Sequence, residues 1–313
     1  MSLPLVLGTM YIGTKTDEAT AFALLDRYVE AGGRVLDTAN CYAFWASDTG
    51  AGGQSEQVIG RWLAQNEGLR EHLVLSTKVG QEPREPGVFE APWEGLSAET
   101  VAREADRSLE RLGVETIDLY WAHGEDRSVD LAETVDAFGA LTASGKVARI
   151  GFSNHPTWRV ERARALATAR GFTPATALQL TTSYVRPRPD TTVPGKDHRF
   201  GWVTDETLDY VTEHPEIEVW AYSPLIQGSY VRDDRPFPEP YDHPGTTRRL
   251  SALADVAGEI GASQAQVVLA WLVASTPSIR PILGVSSVDQ LDDGLAAMDL
   301  HLSPEHLARL DTA

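Results

Sequence analysis

An acid, a phenol, an amine and an imidazole stand at the ends of three consecutive apolar segments of this chain. "RVLDTANCY" carries Asp37 and, five residues later, Tyr42, while "STKVG" carries Lys78 and "LYWAH" ends in His123. Tyrosine is a weak proton donor at neutral pH because its reference pKa is about 10. A lysine ammonium beside the phenol would lower that pKa, and a carboxylate would keep the lysine charged. Together, these four residue types could protonate a carbonyl oxygen.

Protonation of a carbonyl oxygen completes a reduction only if hydride reaches the carbonyl carbon. No side chain carries hydride, so the hypothesis requires a nicotinamide or flavin cofactor. Asn154 and Gln179 are neutral amides suited to a carboxamide, and Tyr222 offers a flat face for the nicotinamide ring. The segment "LGVSS" (283–287) precedes a helical pattern, and a helix N-terminus is a ready site for phosphate. A simple helix cap would explain that segment equally well.

Each of the four residues also has an ordinary structural explanation. An aspartate at a strand end is most often a cap or turn residue, and Lys78 alone could be a solvated strand terminus. His123 alone could be a loop histidine, and Tyr42 alone would more often be packing. The combination favours chemistry because Lys78 closes an otherwise apolar segment whose neighbours supply the acid and the phenol.

Eight short apolar segments are predicted to be the strands that position these residues. They are 5–10, 34–39, 72–78, 117–123, 148–154, 175–180, 217–225 and 279–285. Nearly continuous apolar runs are typical of parallel strands buried on both faces. Helical patterns alternate with them, as in residues 97–113, where Ser97 is a candidate N-cap and Gly113 a C-cap signal. The pattern predicts an α/β fold, a single (β/α)8 TIM barrel over 1–313.

An open doubly wound sheet is the alternative, but no G-x-G-x-x-G follows the first strand. In a barrel, chemistry belongs at the C-terminal ends of the strands. Three long connections, 79–96, 185–202 and 226–246, follow strands and are therefore expected at that face. Aromatic residues near the barrel mouth are predicted to line a substrate pocket: Tyr11, Trp45, Trp93 and Tyr184.

Composition narrows the possible partners and compartments. The net charge of −18 argues against nucleic acid and anionic membranes, which would repel the chain. The one cysteine, Cys41, excludes an intramolecular disulfide and favours a reducing compartment. No signal peptide is evident, so we expect a cytoplasmic protein, with a monomer as the default. The eight histidines form no H-x-H or H-E-x-x-H motif, and no metal is predicted.

With these residues identified, the chain resembles the aldo-keto reductases over nearly its whole length. The similarity rests on motifs in the family's order: "LGTM", "DTANCY", "GGQSEQVIGRWL", "STKVG", "LYWAH", "GFSN", "AYSPL" and "LGVSSVDQL". The resemblance implies a barrel that binds NAD(P)H across its C-terminal mouth, with NADPH as the expected cofactor and NADH possible. It implies a catalytic tetrad of Asp37, Tyr42, Lys78 and His123, with Tyr42 as general acid toward a small-molecule carbonyl substrate.

The same resemblance implies where the cofactor lies. Ser153, Asn154 and Gln179 would hold the carboxamide, and Tyr222 would stack on the nicotinamide. The further residues implied at the cofactor are Thr9, Met10 and Asp37, then Ser223, Leu225, Gln227 and Gly228 near the diphosphate, and Gly284, Ser286 and Gln290 near the adenosine phosphate. The chain departs from the family pattern in several places; among them, Gln290 is neutral where a basic residue is common, and Gly294 replaces the usual Asn or Glu.

Three functions compete at this point. The leading hypothesis is an NADPH-dependent reductase of aldehydes or ketones. The alternative is a nicotinamide-nucleotide-sensing regulatory or binding protein on the same barrel, which could keep an intact tetrad. An unrelated barrel hydrolase or isomerase would need a metal set or two facing carboxylates, and the sequence contains neither pattern.

Overall fold

Eight parallel strands form a closed barrel in the computed structural model, which describes residues 3–193, 196 and 198–313. The strands are β1 Val6–Gly8, β2 Val35–Asp37, β3 Val74–Val79, β4 Ile117–Ala122, β5 Val147–Ser153, β6 Ala177–Thr181, β7 Glu218–Tyr222 and β8 Ile279–Gly284. Each strand pairs with the next one along the chain, and β8 pairs with β1 to close the ring. Every strand overlaps its predicted segment, so the predicted (β/α)8 barrel is confirmed.

Ten α-helices accompany the strands within the described ranges. They are α1 Glu18–Glu30, α2 Gln54–Gln65, α3 Ala98–Leu112, α4 Leu131–Ala143, α5 Thr157–Ala169, α6 Asp205–Glu213, α7 Pro244–Ile260, α8 Gln264–Ala274, α9 Val288–Ala296 and α10 Pro304–Thr312. The α3 boundaries agree with the sequence prediction: Ser97 caps the Thr100 amide, and Gly113 ends the helix in the left-handed conformation. No single helix in the described residues is long and apolar enough to span a membrane. Helices α7 and α8 together have the length and composition of a span, but they are bent by 98° relative to each other.

The interior of the barrel is filled by side chains from six strands. They are Val6, Val35, Leu119, Trp121, Ala177, Trp220 and Ile282. The rings of Trp121 and Trp220 meet edge to face with their centroids 5.3 Å apart. The Trp121 indole N–H donates to the Ser76 hydroxyl at 2.5 Å, so the barrel core is hydrogen-bonded to a side chain of β3. Gly151 on β5 makes room for Trp121, because a Cβ there would lie 2.2 Å from the indole ring.

Long connections follow β3, β6 and β7, as the sequence predicted, and all lie at the C-terminal ends of the strands. The β3 connection includes an antiparallel bridge between Pro83 and Trp93, and the β6 connection returns to pair Trp202 with Thr181. The connection after β2 contains a 3-10 turn, Phe44–Ala46. The C-terminal ends of the strands thus form the base of a mouth, and these connections surround it.

We predict that Gly151→Ala destabilises the protein by about 1–3 kcal/mol, because the added methyl overpacks against Trp121. Urea denaturation would measure the change. Gly258→Ala in α7 is the matched control, since nothing lies within 4 Å of its Cβ position. Helix propensity should make that control neutral or more stable by up to about 1 kcal/mol. Equal stability of the two variants would contradict the packing role of Gly151.

Candidate active site

Lys78 is the centre of the polar cluster at the barrel mouth. Its ammonium donates to Asp37 Oδ2 at 2.6 Å, to the Thr38 carbonyl at 2.7 Å and to the Tyr42 hydroxyl oxygen at 2.9 Å. The Lys78 side chain is fully buried, and Asp37 is 2% exposed. An unpaired buried ammonium would be costly, so these three acceptors are what makes a lysine tolerable at this depth. All three ammonium protons are used.

Asp37 is held in turn by the barrel. Its Oδ1 accepts from the Ser76 hydroxyl at 2.8 Å and from the Gln179 amide at 3.0 Å. Ser76 also accepts from Trp121, so one chain of hydrogen bonds runs from the barrel interior to Lys78. The chain fixes the position of the Asp37 carboxylate and therefore that of the ammonium.

Tyr42 is protonated in this environment. Burial first, and then the negative charge of Asp37, hold the pKa of the Tyr42 phenol well above its ordinary value. The sequence-based prediction that Lys78 lowers this pKa is therefore wrong for the net effect: desolvation outweighs attraction by the ammonium. Because Lys78 donates to the phenol oxygen, the Tyr42 proton remains available to another acceptor.

His123 stands beside the phenol. The Tyr42 and His123 rings meet edge to face with centroids 5.9 Å apart. Burial and the nearby Lys78 charge hold the pKa of His123 well below its ordinary value, so the imidazole is neutral. Its Nδ1 lies 3.6 Å from the Cys41 sulfur. A neutral imidazole adds no positive charge to the site and can still donate one hydrogen bond.

Asn154, one of the amide side chains predicted to meet a carboxamide, hydrogen-bonds three groups at the barrel mouth. Asn154 donates to the His123 carbonyl at 2.9 Å and to the Ser153 hydroxyl at 3.1 Å, and its Oδ1 accepts from the Tyr222 hydroxyl at 2.8 Å. Asn154 has a left-handed backbone with φ of 59°. Residues held in such conformations cluster at functional sites, because the surrounding structure must fix them.

The connection after β7 has the same unusual backbone. Ser223, Ile226 and Gln227 have φ values of 52°, 47° and 57°, and Gly228 follows at 94°. Leu225 packs against the barrel's apolar core beside this turn. Four left-handed residues in six positions make a sharply wound loop of the kind that turns backbone N–H groups toward one side. Ser223, Leu225, Gln227 and Gly228 are therefore brought together, as the sequence analysis expected for one part of a ligand site.

The end of β8 leads into α9 through an exposed turn. Gly284 is exposed, and the Ser286 amide and hydroxyl donate to Gln290 Oε1 at 2.9 and 3.1 Å. Gln290 thus folds back onto the turn, while Ser287 caps α9. Gly294 faces the barrel: a Cβ would lie 2.2 Å from Leu283 Cδ2. Packing therefore explains why this position has no Asn or Glu side chain.

Thr9 and Met10 follow β1 at the same rim. Thr9 is buried and donates to the Asp37 carbonyl at 3.0 Å, while Ser55 donates to the Thr9 hydroxyl at 2.8 Å. Met10 is partly exposed in the turn that follows. The Thr9 contacts tie β1, β2 and the start of α2 together beneath the tetrad.

Five aromatic side chains form a wall beside the tetrad. Phe44 lies 5.0 Å from Trp45, 4.8 Å from Phe89 and 6.2 Å from Trp93, measured between ring centroids. Trp45 in turn meets Tyr11 at 6.3 Å and Phe89 at 5.6 Å. Phe89 is 54% exposed and Trp93 39% exposed. Large apolar surface left open next to a catalytic cluster is typical of a ligand-binding wall.

Tyr184 does not belong to this wall, and its prediction as a substrate residue is wrong. The side chain is buried, and its hydroxyl donates to the Leu310 carbonyl at 3.0 Å. Its ring packs against Trp271 and the Arg249 guanidinium. Tyr184 anchors the C-terminal helix α10, and in this structure it has no surface to offer a substrate.

Sequence reasoning missed Phe44, Phe89 and Lys196. Phe44 follows Tyr42 closely, and Phe89 lies in a long connection that was expected at the C-terminal face of the barrel, so their position in the chain was the available signal. Lys196 comes from the connection after β6 and donates to the Ser223 hydroxyl at 2.6 Å. No local motif distinguishes it. Across the described residues, no group of three or more His, Cys, Asp and Glu side chains is arranged to hold a metal ion.

The mouth fits a nicotinamide cofactor on this structure's own features. Tyr222 is partly exposed beside Asn154 and the tetrad, which suits a flat ring. The sharply wound turn after β7 and the N-terminus of α9 stand on neighbouring strands, and both suit phosphate groups. Asp37 and Ser76 are engaged by hydrogen bonds within the barrel, whereas the hydrogen bond of Gln179 uses only its amide N–H and leaves its oxygen for a ligand.

Comparison with known proteins identifies the family. The Aldo/keto reductase family profile matches residues 4–313. This chain belongs to the aldo/keto reductase family. It is 32% identical to the uncharacterized oxidoreductase YrpG of Bacillus subtilis, over 98% of this chain and 90% of that protein.

Two further relatives in this family of oxidoreductases have more specific names. Norsolorinic acid reductase stcV of Emericella nidulans is 28% identical over 98% of this chain and 77% of its own length. The aryl-alcohol dehydrogenase [NADP(+)] of Phanerodontia chrysosporium is 28% identical over 98% of this chain and 81% of its own length. The first name describes a reduction, and the second describes the oxidation of an aryl alcohol with NADP(+).

Two acids, the buried Glu94 and the partly buried Glu82, connect the loops around Tyr42. Glu94 accepts from Asn40 and from the Gly80 amide, both at 2.8 Å, and Glu82 accepts from the Gly52 amide at 2.8 Å. Burial raises the pKa of Glu94, and it raises the pKa of Glu82 from 4.5 to about 7. These acids thus join the connection after β2, which carries Tyr42, to the connection after β3.

We predict that Glu82→Gln becomes more stable relative to the unmodified protein as the pH rises. The raised pKa means that the folded state binds the proton more tightly, so the stability from Glu82 is complete below about pH 4.5 and is lost as the pH passes about 7. Glutamine stays neutral and can still accept from Gly52. Melting temperatures between about pH 5 and pH 8 would measure the difference. Glu85→Gln, an exposed acid in the same connection, is the control, and an equal trend in both variants would contradict the assignment.

Proposed function

We propose that this protein reduces aromatic aldehydes or ketones to alcohols with NADPH, with Tyr42 as general acid. The observation that carries the proposal is the 2.9 Å hydrogen bond from Lys78 to the Tyr42 oxygen inside a fully buried ion pair with Asp37. A structural tyrosine at a barrel mouth has no need of a buried ammonium, whose desolvation is costly. A tyrosine that must become negative during a reaction does need one.

The proton transfer follows from the electrostatics of the site. A substrate carbonyl oxygen at the mouth accepts a hydrogen bond from the Tyr42 hydroxyl, whose proton Lys78 leaves free. As the carbonyl carbon gains hydride, its oxygen becomes an alkoxide, a far stronger base than a phenolate. The proton then passes from Tyr42 to that oxygen, and the alcohol forms. The high pKa of Tyr42 keeps the proton in place until the alkoxide develops.

Lys78 and His123 act on the charge that this transfer creates. The phenolate left on Tyr42 lies 2.9 Å from the Lys78 ammonium, whose positive charge stabilises it. Asp37 keeps that ammonium protonated and oriented. His123, a neutral imidazole beside the phenol, donates to the substrate oxygen and orients it. These two effects lower the energy of the transition state more than that of the bound substrate.

A reduced nicotinamide supplies the hydride when bound. Tyr222 would offer the face for the ring, and Ser153, Asn154 and Gln179 would hold its carboxamide. Ser223, Leu225, Gln227 and Gly228 would border the diphosphate, and Gly284, Ser286 and Gln290 the adenosine phosphate. The NADPH assignment draws support from the NADP(+)-dependent relative. The neutral Gln290 makes NADH the cofactor to compare with it.

The aromatic wall supports the substrate class. Phe89 and Trp93 are exposed and Trp45 is partly exposed, all around Phe44, which packs in one small apolar cluster with Tyr42. Aromatic rings gain free energy from stacking on one another beyond the apolar area they bury. One relative is named for aryl alcohols, which are aromatic compounds. A substrate ring against this wall would direct its carbonyl toward Tyr42.

We predict that Tyr42→Phe lowers kcat for carbonyl reduction by at least about 100-fold. Only the phenol proton is removed, so the dissociation constant for NADPH should stay within about twofold. Rates of NADPH and NADH oxidation with benzaldehydes and aryl ketones would measure the effect. Tyr120→Phe is the matched control, a buried tyrosine on β4 whose hydroxyl has no hydrogen-bond partner in the described structure.

Two outcomes would change this proposal. Substantial reduction by Tyr42→Phe would remove Tyr42 from the role of general acid. Tight NADPH binding by the unmodified protein, with no turnover of any carbonyl compound, would favour the alternative of a nucleotide-sensing protein. Comparison of the NADPH and NADH rates would decide the cofactor.

We predict that Phe89→Ala lowers kcat/KM for an aryl aldehyde by about fivefold or more, through KM, because a stacking surface is lost. A short aliphatic aldehyde should react at an almost unchanged rate. Phe89→Leu is the control, since it keeps apolar bulk but removes the ring. Its kcat/KM for the aryl aldehyde should lie between that of the unmodified protein and that of Phe89→Ala. An equal loss for both aldehydes would show that Phe89 supports the fold of the connection instead of contacting substrate.

A further inference from the structure

Lys196 reaches the barrel mouth from the connection after β6. Its ammonium donates to the Ser223 hydroxyl at 2.6 Å and lies 4.4 Å from the centre of the Tyr222 ring. The side chain lines a cavity of about 220 Å³ between the connections after β6 and β7. Lys196 therefore contacts two consecutive residues at the end of β7, Tyr222, which would meet the nicotinamide, and Ser223, which would meet the diphosphate.

The Lys196 charge has no carboxylate partner among the residues that the structure describes. Asp234 lines the same cavity, but its carboxylate is paired with Arg232 at 2.6 Å. Burial lowers the pKa of Lys196 to about 8, which marks an ammonium that water and the described protein groups solvate poorly. A ring face and a hydroxyl compensate only part of its desolvation. An anion in this cavity would supply what is missing.

We propose that Lys196 is a cofactor-binding residue whose ammonium binds the diphosphate of the dinucleotide. The inference rests on the proposed function, because it assumes that the mouth binds NADPH. Ser223, the Lys196 acceptor, opens the sharply wound turn that ends at Gly228, so the ammonium stands beside the backbone suited to phosphate. A lysine is well suited to a diphosphate because it acts as a point charge that need not match a fixed geometry.

The diphosphate fits the position of Lys196 better than a charged substrate does. The contacts of its ammonium are to Tyr222, which ends β7, and to Ser223, which follows it, whereas the proton donor Tyr42 follows β2. The ammonium covers one face of the Tyr222 ring. A nicotinamide stacked on that face would displace it, and the flexible lysine stem allows the short move toward the diphosphate.

Ligand binding without turnover tests the proposal. Dissociation constants for NADPH, for ADP-ribose and for adenosine 2′-monophosphate would be measured by tryptophan fluorescence on the unmodified protein, Lys196→Met and Lys196→Arg. ADP-ribose carries the diphosphate but no nicotinamide, and adenosine 2′-monophosphate carries no diphosphate. Lys15→Met is the matched control, because the Lys15 ammonium also lies over a tyrosine at the mouth, 4.6 Å from the Tyr11 ring centre.

We expect Lys196→Met to weaken NADPH and ADP-ribose binding by about tenfold or more, as for the loss of a charged hydrogen bond. Binding of adenosine 2′-monophosphate should not change. Lys196→Arg should recover most of the affinity, and Lys15→Met should bind all three ligands normally. Lys196→Gln serves if the Met variant does not fold.

Other results would separate the inference from the proposed function. Unchanged ADP-ribose binding in Lys196→Met, with normal binding by the unmodified protein, would overturn the role of Lys196 and leave the reductase proposal intact. Weaker NADPH binding with unchanged ADP-ribose binding would also overturn it, since the loss would then lie at the nicotinamide. Failure of the unmodified protein to bind any nicotinamide nucleotide would overturn the proposed function itself.

Discussion

The site depends on one buried ammonium and the three oxygen atoms that surround it. Lys78 is fully enclosed, and its charge is tolerable only because Asp37, the Thr38 carbonyl and Tyr42 accept all of its protons. The same enclosure that makes the lysine costly makes its charge effective, since little water screens it. Removing any one acceptor would leave positive charge uncompensated at the mouth. The contacts that position the Tyr42 phenol therefore also stabilise the rim of the barrel.

The strands and the tetrad could be predicted because each depends on local pattern and topology. Buried parallel strands require nearly continuous apolar segments, so all eight were visible, and parallel order brings Asp37, Lys78 and His123 to one rim. The direction of the Tyr42 pKa shift could not be predicted, because it depends on how completely the phenol is desolvated. Residue types indicate which charges are near one another, whereas burial decides whether desolvation or attraction is larger.

The residues in the connections around the mouth were predicted less well than those at the strand ends. Trp45 and Trp93 are in the aromatic cluster, but Tyr184, equally close to a long connection in the sequence, turns inward to hold α10. Nothing in the local sequence distinguishes an aromatic that covers a connection from one that anchors it. Lys196 was missed for the same reason, because its position at the mouth is evident only from its contacts with Ser223 and Tyr222, which are distant in the sequence. Such residues are identified only by the tertiary fold.

The hydrogen bonds from Trp121 through Ser76 to Asp37 join the filling of the barrel to the group that orients Lys78. A substitution inside the barrel can therefore reach the chemistry without touching any residue that a ligand would meet. The parts of this enzyme therefore differ in how freely their sequences can change. Its aromatic rim can diversify toward new carbonyl compounds at little cost, whereas the interior of β3 and β4 can change only in concerted steps that preserve the aspartate's position.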